Sequence, residues 1–236
     1  MEPTKQVFIL AGQSNMSGRG GVHKHQWDGV VPPESAADGE KIFRLNADHE
    51  WEAAHEPLHQ GLDANRVCGV GPGLAFANAV KERVGAIGLV PCAAAGTQMK
   101  DWARGGELYE RMVKRAKAAV ERSGEIAAVL WYQGEKDTFL KEDADLYGDN
   151  VEKLILNLRQ DLDLPSLPVI LVALASGREY LDKVREAQKG ISVENVVCVD
   201  ALGLPLQEDN LHITTEAHIQ LGHMMADSYI THFLTQ

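Results

Sequence analysis

Three side chains in this sequence have the types that acyl transfer needs: a hydroxyl at Ser14, an imidazole at His212 and a carboxylate at Asp209. A serine hydroxyl is protonated at neutral pH and becomes a nucleophile only beside a base. An ordinary imidazole, with a pKa near about 6.5, suits that task, and it needs an acceptor on its second nitrogen to fix its tautomer. Asp209 precedes His212 by three residues in EDNLH, a spacing that within a turn lets the carboxylate reach the ring. The oxyanion formed on attack needs preorganised donors. Candidates are the Ser14 N–H, the Gly96 N–H and the Gln133 side-chain amide. Each residue also has a plainer role open to it. Ser14 could cap a helix, Asp209 a turn, and His212 could hydrogen-bond near the last helix, while Gly96 could be a turn glycine. Glu135 and Asp137 read as helix-dipole partners rather than catalytic acids.

The surrounding elements decide whether these groups can meet. Ser14 follows VFILAG, an apolar run over 7–11 that stops at Gly12 and predicts a buried strand ending in a tight turn. Four more strands are predicted at 86–90, 127–132, 168–173 and 196–199. Helical spacing of apolar residues lies between them: Phe76, Val80 and Val84 behind Pro72; Leu108, Met112 and Ala116; Tyr147, Val151 and Leu154. Two further helices are expected near 180–189 and 214–233. Such alternation predicts a three-layer α/β/α sandwich with a five-stranded parallel sheet. Sites in these sheets form beyond the carboxyl ends of the strands, which is where Gln13, Ser14, Gly96, Gln133 and the Asp209–His212 loop all fall. The region 18–71, rich in Gly, Pro, His and Asp, is expected to be a long loop forming much of the pocket wall.

With 236 residues, one domain spanning 1–236 with a sizeable core is expected. The net charge of -11 argues against nucleic acid and anionic membranes as partners, and favours a neutral or cationic substrate over a phosphate ester. Cys68, Cys92 and Cys198 are odd in number and widely separated, so they read as buried thiols rather than a disulfide or metal set. The start, MEPTKQVFIL, does not read as a signal peptide, and no apolar run approaches membrane-spanning length. A cytoplasmic location is the default expectation.

Other chemistries leave weaker traces. HEPLH at 55–59 formally matches a zinc-hydrolase motif, but that motif works inside a helix and Pro57 stands in its middle. His23 and His25 are expected to be solvated on a loop. The glycines after Ser14 do not fit a dinucleotide or phosphate-binding fingerprint. Trp27, Trp51 and Trp102 could stack on sugar rings, in an enzyme or in a catalytically weak carbohydrate-binding protein, or could simply anchor loops.

Taken in order, GQSN at 12–15, GT at 96–97, WYQGE at 131–135 and DNLH at 209–212 resemble the SGNH hydrolase superfamily. More narrowly they resemble carbohydrate esterases of the sialate O-acetylesterase type, particularly plant probable carbohydrate esterases, over nearly the whole chain. The resemblance implies a flavodoxin-like fold and hydrolysis of acyl esters, commonly acetyl groups on sugars, with no metal or organic cofactor. By position it implies Ser14 as nucleophile, His212 as base, Asp209 as its partner and Gly96 in the oxyanion hole. Gln133 stands where the wider superfamily has asparagine. Two positions depart from the pattern: Ala95 replaces a glycine beside Gly96, and Lys136 replaces a serine after QGE. The implied substrate is an acylated sugar, small or polymeric; which one, and the oligomeric state, are not readable from the residues.

Overall fold

The computed structural model describes residues 4–63 and 66–234. Strand β1 (Lys5–Gly12) opens the fold, and the four-residue helix α1 (Ser14–Ser17) follows it at once. A two-stranded hairpin, β2 (Val22–His23) and β3 (Gln26–Trp27), leads to β4 (Ile42–Leu45) and β5 (Trp51–Ala53). Then come α2 (Pro72–Val84), β6 (Ile87–Pro91), α3 (Glu107–Glu121), β7 (Gly124–Tyr132) and α4 (Lys141–Asp161). The chain closes with β8 (Val169–Ala173), α5 (Leu181–Lys189), β9 (Val196–Asp200) and α6 (Thr215–Tyr229).

The main sheet has seven strands in the order β5-β4-β6-β1-β7-β8-β9, parallel except for the β4–β5 pair. The five expected strands are its contiguous core, and β4 and β5 extend one edge out of the region expected to be loop. Each of these additions is four residues or fewer, too short to show a strand period. Counting only the five, their order is 2-1-3-4-5, the doubly wound order whose switch point lies beside the first strand. Ser14 sits just beyond that point.

Register explains the layers. Phe8 pairs with Ala128, so it shares a face with Ala128 and Leu130 and lies opposite Val129 and Trp131. On the first face Phe8 meets Phe76 of α2 and Tyr229 of α6, edge to face, with centroids 4.8 and 5.1 Å away. On the second, Val129 and Trp131 face Met112 of α3 and Leu154 of α4. With both faces covered, the strands are continuous apolar runs: Val7 to Ala11 are all fully buried. The helix ends follow their sequence signals. Pro72 begins α2, Gly85 ends it with φ of 83°, and the Thr214 hydroxyl accepts the Ala217 N–H at 3.2 Å to cap α6.

One expectation about side chains changes, and a question left open for two tryptophans is answered. Cys68 and Cys92 are buried, but Cys198 is exposed, because β9 is the edge strand of the sheet. Trp102 is fully buried, 5.1 Å from the Trp131 ring, and its Nε1 donates to Thr97 Oγ1; Trp51 lies over Gly88 and donates to the Arg122 carbonyl. Both are anchors rather than sugar platforms. No helix among the described residues is long and apolar enough to cross a membrane.

Candidate active site

The first functional group is delivered by a turn that only glycine permits. Gly12 has φ of 131°, and a Cβ there would lie 2.1 Å from the Tyr132 carbonyl oxygen of β7. The chain therefore turns tightly at the end of β1 and starts α1 with Ser14, whose N–H has no intrahelical acceptor.

From the other end of the chain, the loop between β9 and α6 brings His212 back to this turn. His212 Nε2 lies 2.9 Å from Ser14 Oγ, and His212 Nδ1 lies 2.6 Å from Asp209 Oδ2. An ionised carboxylate only accepts, so Nδ1 carries the proton and Nε2 presents its lone pair to the serine. Asp209 Oδ1 also accepts the N–H groups of Leu211 and His212, both at 2.9 Å. Partial burial alone would raise the Asp209 carboxyl, but these N–H groups and the ring hold it below the usual range. The three residues are thus a continuous hydrogen-bonded chain opening into a cavity of about 460 Å³, within the range of about 300–1,000 Å³ usual for small-molecule sites.

Gly96 lies on the cavity wall in a turn after β6, with φ of 72° and open space where a Cβ would stand. Beside it, the Ala95 N–H donates to Asp63 Oδ1 at 3.0 Å. Asp63 also accepts from Ser17 Oγ and from Arg19 in a buried ion pair at 2.8 Å. Asp63 therefore ties the serine turn to the Gly96 turn, a hub in the region expected to be loop.

Gln133 is placed otherwise than expected. It is fully buried, and its Nε2 donates to Asp137 Oδ2 at 2.6 Å and to the Thr97 carbonyl at 2.9 Å. Both amide hydrogens are thereby used inside the protein, and Gln133 is not on the cavity wall. Gln13 is on it. Its Oε1 accepts the Gly134 N–H at 3.3 Å and lies 3.3 Å from Gln133 Nε2. The Gly134 N–H can only donate, which assigns the oxygen and leaves Nε2 as the end without a protein partner among the described residues. No sequence signal separated the two glutamines.

Glu135 and Asp137 do more than face a helix dipole. They lie in a short 3-10 turn, Glu135–Thr138, and are buried. Glu135 accepts from Asn15 Nδ2 at 2.7 Å, and Asp137 accepts the Met99 N–H at 2.9 Å. Burial pushes Glu135 up to about 7 against the Asn15 hydrogen bond, and Asp137 up to about 6 against those from Gln133 and Met99. Asn15 in turn accepts the Ile213 N–H and donates to the Leu211 carbonyl, bracketing His212 on both sides.

The remaining candidates fall elsewhere. HEPLH is not helical: His55 is exposed, and His59 is buried with Nε2 accepting the Ala93 N–H at 3.3 Å. The two imidazoles do not share a helix face. His25 is exposed on the β2–β3 hairpin but lines the cavity, whereas Trp27 does not. As expected of the region 18–71, it supplies much of the wall, including Arg19, Val22, Lys24, Arg66 and Val67.

Comparison with known proteins agrees with this fold. A probable carbohydrate esterase of Arabidopsis thaliana is 58% identical over 241 aligned residues, covering 98% of this chain and 92% of its own. A crystal structure of an Arabidopsis thaliana protein at 59% identity superposes with a TM-score of 0.96, over 98% of this chain and 100% of that one. A carbohydrate acetylesterase from Xanthomonas citri shares the fold at 20% identity and a TM-score of 0.70, over 98% of this chain and 57% of its own. These neighbours have the SGNH-type α/β/α fold. The carbohydrate esterase family described as sialic acid-specific acetylesterase matches residues 4–231, and the chain belongs to that family.

Proposed function

We propose that the chain is a single-domain serine esterase that removes O-acyl groups, chiefly O-acetyl, from a carbohydrate by way of an acyl-enzyme. The observation that carries this reading is the unbroken Ser14–His212–Asp209 chain at 2.9 and 2.6 Å, opening into the cavity. Ser14 Oγ attacks the ester carbonyl as His212 Nε2 takes its proton, and Asp209 holds the resulting imidazolium. The oxyanion is met by the N–H groups of Ser14 and Gly96 and by Gln13 Nε2, in place of Gln133. Collapse of the tetrahedral intermediate expels the sugar oxygen, which receives the proton from His212. Water then attacks the acyl-serine, giving its proton to His212, and carboxylate leaves as Ser14 is regenerated.

The test is acetate release from p-nitrophenyl acetate and from acetylated xylan by the native protein and by Ser14→Ala. Turnover by the native protein that falls at least about a thousandfold in the variant is expected. Equal, slow release by both proteins would overturn the mechanism and leave a carbohydrate-binding role.

A further inference from the structure

Past the end of β6 the chain has a strand neighbour on one side only. β1 continues beside it, whereas β4 pairs no further than Arg44 opposite Leu89. The N–H groups of an extended segment point alternately to its two sides. On the β1 side, Cys92 and Ala94 donate to the Leu10 and Gly12 carbonyls at 2.8 and 2.9 Å. On the other, two side chains stand where a strand is missing: His59 Nε2 accepts the Ala93 N–H at 3.3 Å and Asp63 Oδ1 the Ala95 N–H at 3.0 Å. The Gly96 N–H, next in the series, has no protein partner among the described residues, and Gly96 lines the cavity.

His59 ends the HEPLH stretch and Asp63 lies one turn later. The Leu62 and Asp63 N–H groups both return to the His59 carbonyl, at 2.9 and 3.2 Å, so one tight turn presents both side chains. Both are buried. A backbone N–H only donates, so Nε2 is the unprotonated nitrogen of His59. Burial depresses this ring far below the ordinary imidazole range, which preserves the acceptor at neutral and mildly acidic pH. Ser17 and Arg19 engage the other oxygen of Asp63, and the Thr97 hydroxyl donates to the Ala94 carbonyl at 2.9 Å. Gly96 is thus fixed through its neighbours while its own N–H stays free.

We infer that His59 is a positioning residue for ester hydrolysis, acting with Asp63 to hold the end of β6 so that the Gly96 N–H meets the oxyanion. The inference rests on the esterase reading, which supplies that oxyanion. The imidazole that formally completes a zinc motif then serves the serine chemistry through the backbone.

The test compares kcat/KM for p-nitrophenyl acetate and p-nitrophenyl thionoacetate, which differ only in the carbonyl atom. Sulfur is a weaker acceptor than oxygen, so the oxo-to-thiono ratio reports how well the oxyanion donors are placed. In the native protein it should exceed about a hundredfold. His59→Phe keeps a ring of similar shape without an acceptor, so the Ala93 N–H loses its partner. A shift of about 1 Å can cost on the order of a hundredfold, so kcat/KM for the oxo ester should fall by about 10- to 100-fold. The thiono ester draws little on these donors and should lose far less, lowering the ratio by at least about fivefold. His59→Gln, whose Oε1 accepts the same N–H, should restore the ratio. Loss of folded protein alone lowers both esters equally and leaves the ratio unchanged. A native ratio near unity, a native-like ratio in His59→Phe or no rescue by His59→Gln would overturn the positioning role and leave the esterase reading intact. Should His59→Phe not fold, His59→Met, with a flexible side chain and only a weak acceptor, is measured in the same way. Should the native protein hydrolyse neither ester, the esterase reading fails and the positioning role with it.

Discussion

Asn15 Oδ1 accepts the N–H of Ile213 at 3.1 Å, so the residue after the Ser14 hydroxyl is tied to the residue after the His212 ring. The same amide donates to Glu135 and to the Leu211 carbonyl. Asn15→Ala should therefore loosen the base relative to the nucleophile without touching either. A displacement of about 1 Å can cost on the order of a hundredfold, so kcat should fall by about 10- to 100-fold with KM largely held. Hydrogen exchange at the Ile213 amide should accelerate in parallel, and unchanged exchange with reduced kcat would contradict the positioning role.

The two buried glutamines should separate in their effects. Gln13→Ala removes a donor at the cavity and is expected to lower kcat by about a hundredfold or more. Gln133→Ala leaves Asp137 without its 2.6 Å donor in the interior, costing about 1–3 kcal/mol of stability. Steady-state kinetics and thermal melts on both variants read this directly. The larger drop in Tm belongs to Gln133→Ala and the larger drop in kcat per degree of Tm lost to Gln13→Ala.

Asp209→Asn keeps an acceptor for the Leu211 and His212 N–H groups but turns an amide donor towards His212 Nδ1, favouring the wrong tautomer. We expect kcat to fall by about 10²- to 10⁴-fold. Because the Asp209 side chain is 48% exposed, melting should shift little. Stopped assays at saturating substrate together with calorimetry check both halves.

Stability should decline as pH rises from about 6.5, where the histidines no longer oppose the trend, to about 8, where Glu56 ionises in the folded state. Burial holds Glu56 up to about 8 and Glu135 up to about 7, whereas in the unfolded chain both titrate near about 4.3. Over this interval the folded state keeps protons that the unfolded state has lost, so the free energy of unfolding falls with rising pH, by about 1.4 kcal/mol per pH unit for each retained proton. Burial also depresses His59 and His218 well below the ordinary imidazole range. Their unfolded forms gain protons below about pH 6.5, which lowers stability on the acid side. Melts between pH 6.5 and 8.5 should thus show a falling Tm, flattened in Glu56→Gln.

Much of the fold was legible because the five core strands are buried on both faces and so read as unbroken apolar runs, with their chemistry concentrated immediately after each strand. Ser14 and Gly96 stood out as candidates from their positions after strand ends and the Asp209–His212 loop from its residue types, while their roles were implied by the family resemblance. The strands β4 and β5 did not stand out, because IFRL and WEA are brief and flanked by turn residues. Gln13 and Gln133 carry the same side chain at the ends of neighbouring strands; what distinguishes them is Asp137, which claims one amide and leaves the other facing the cavity. Exposure of Cys198 is a property of sheet order, decided by which strand lies at the edge. Net charge likewise says nothing of where cations fall, and Lys24, Arg66 and Lys136 all line the cavity.

Ser14 and His212 are separated by 198 positions along the chain. The proposed nucleophile and its base are therefore separated by every core strand of the sheet except the first. Contacts of such long range close late, after most of the loop-closure entropy has been overcome. A chain truncated before residue 209 lacks the group proposed to activate the serine. Recovery of esterase turnover after dilution from denaturant should consequently report the joining of the Ser14 turn to the Asp209–His212 loop, and a fragment that regains helix and sheet but stops before residue 209 should remain silent.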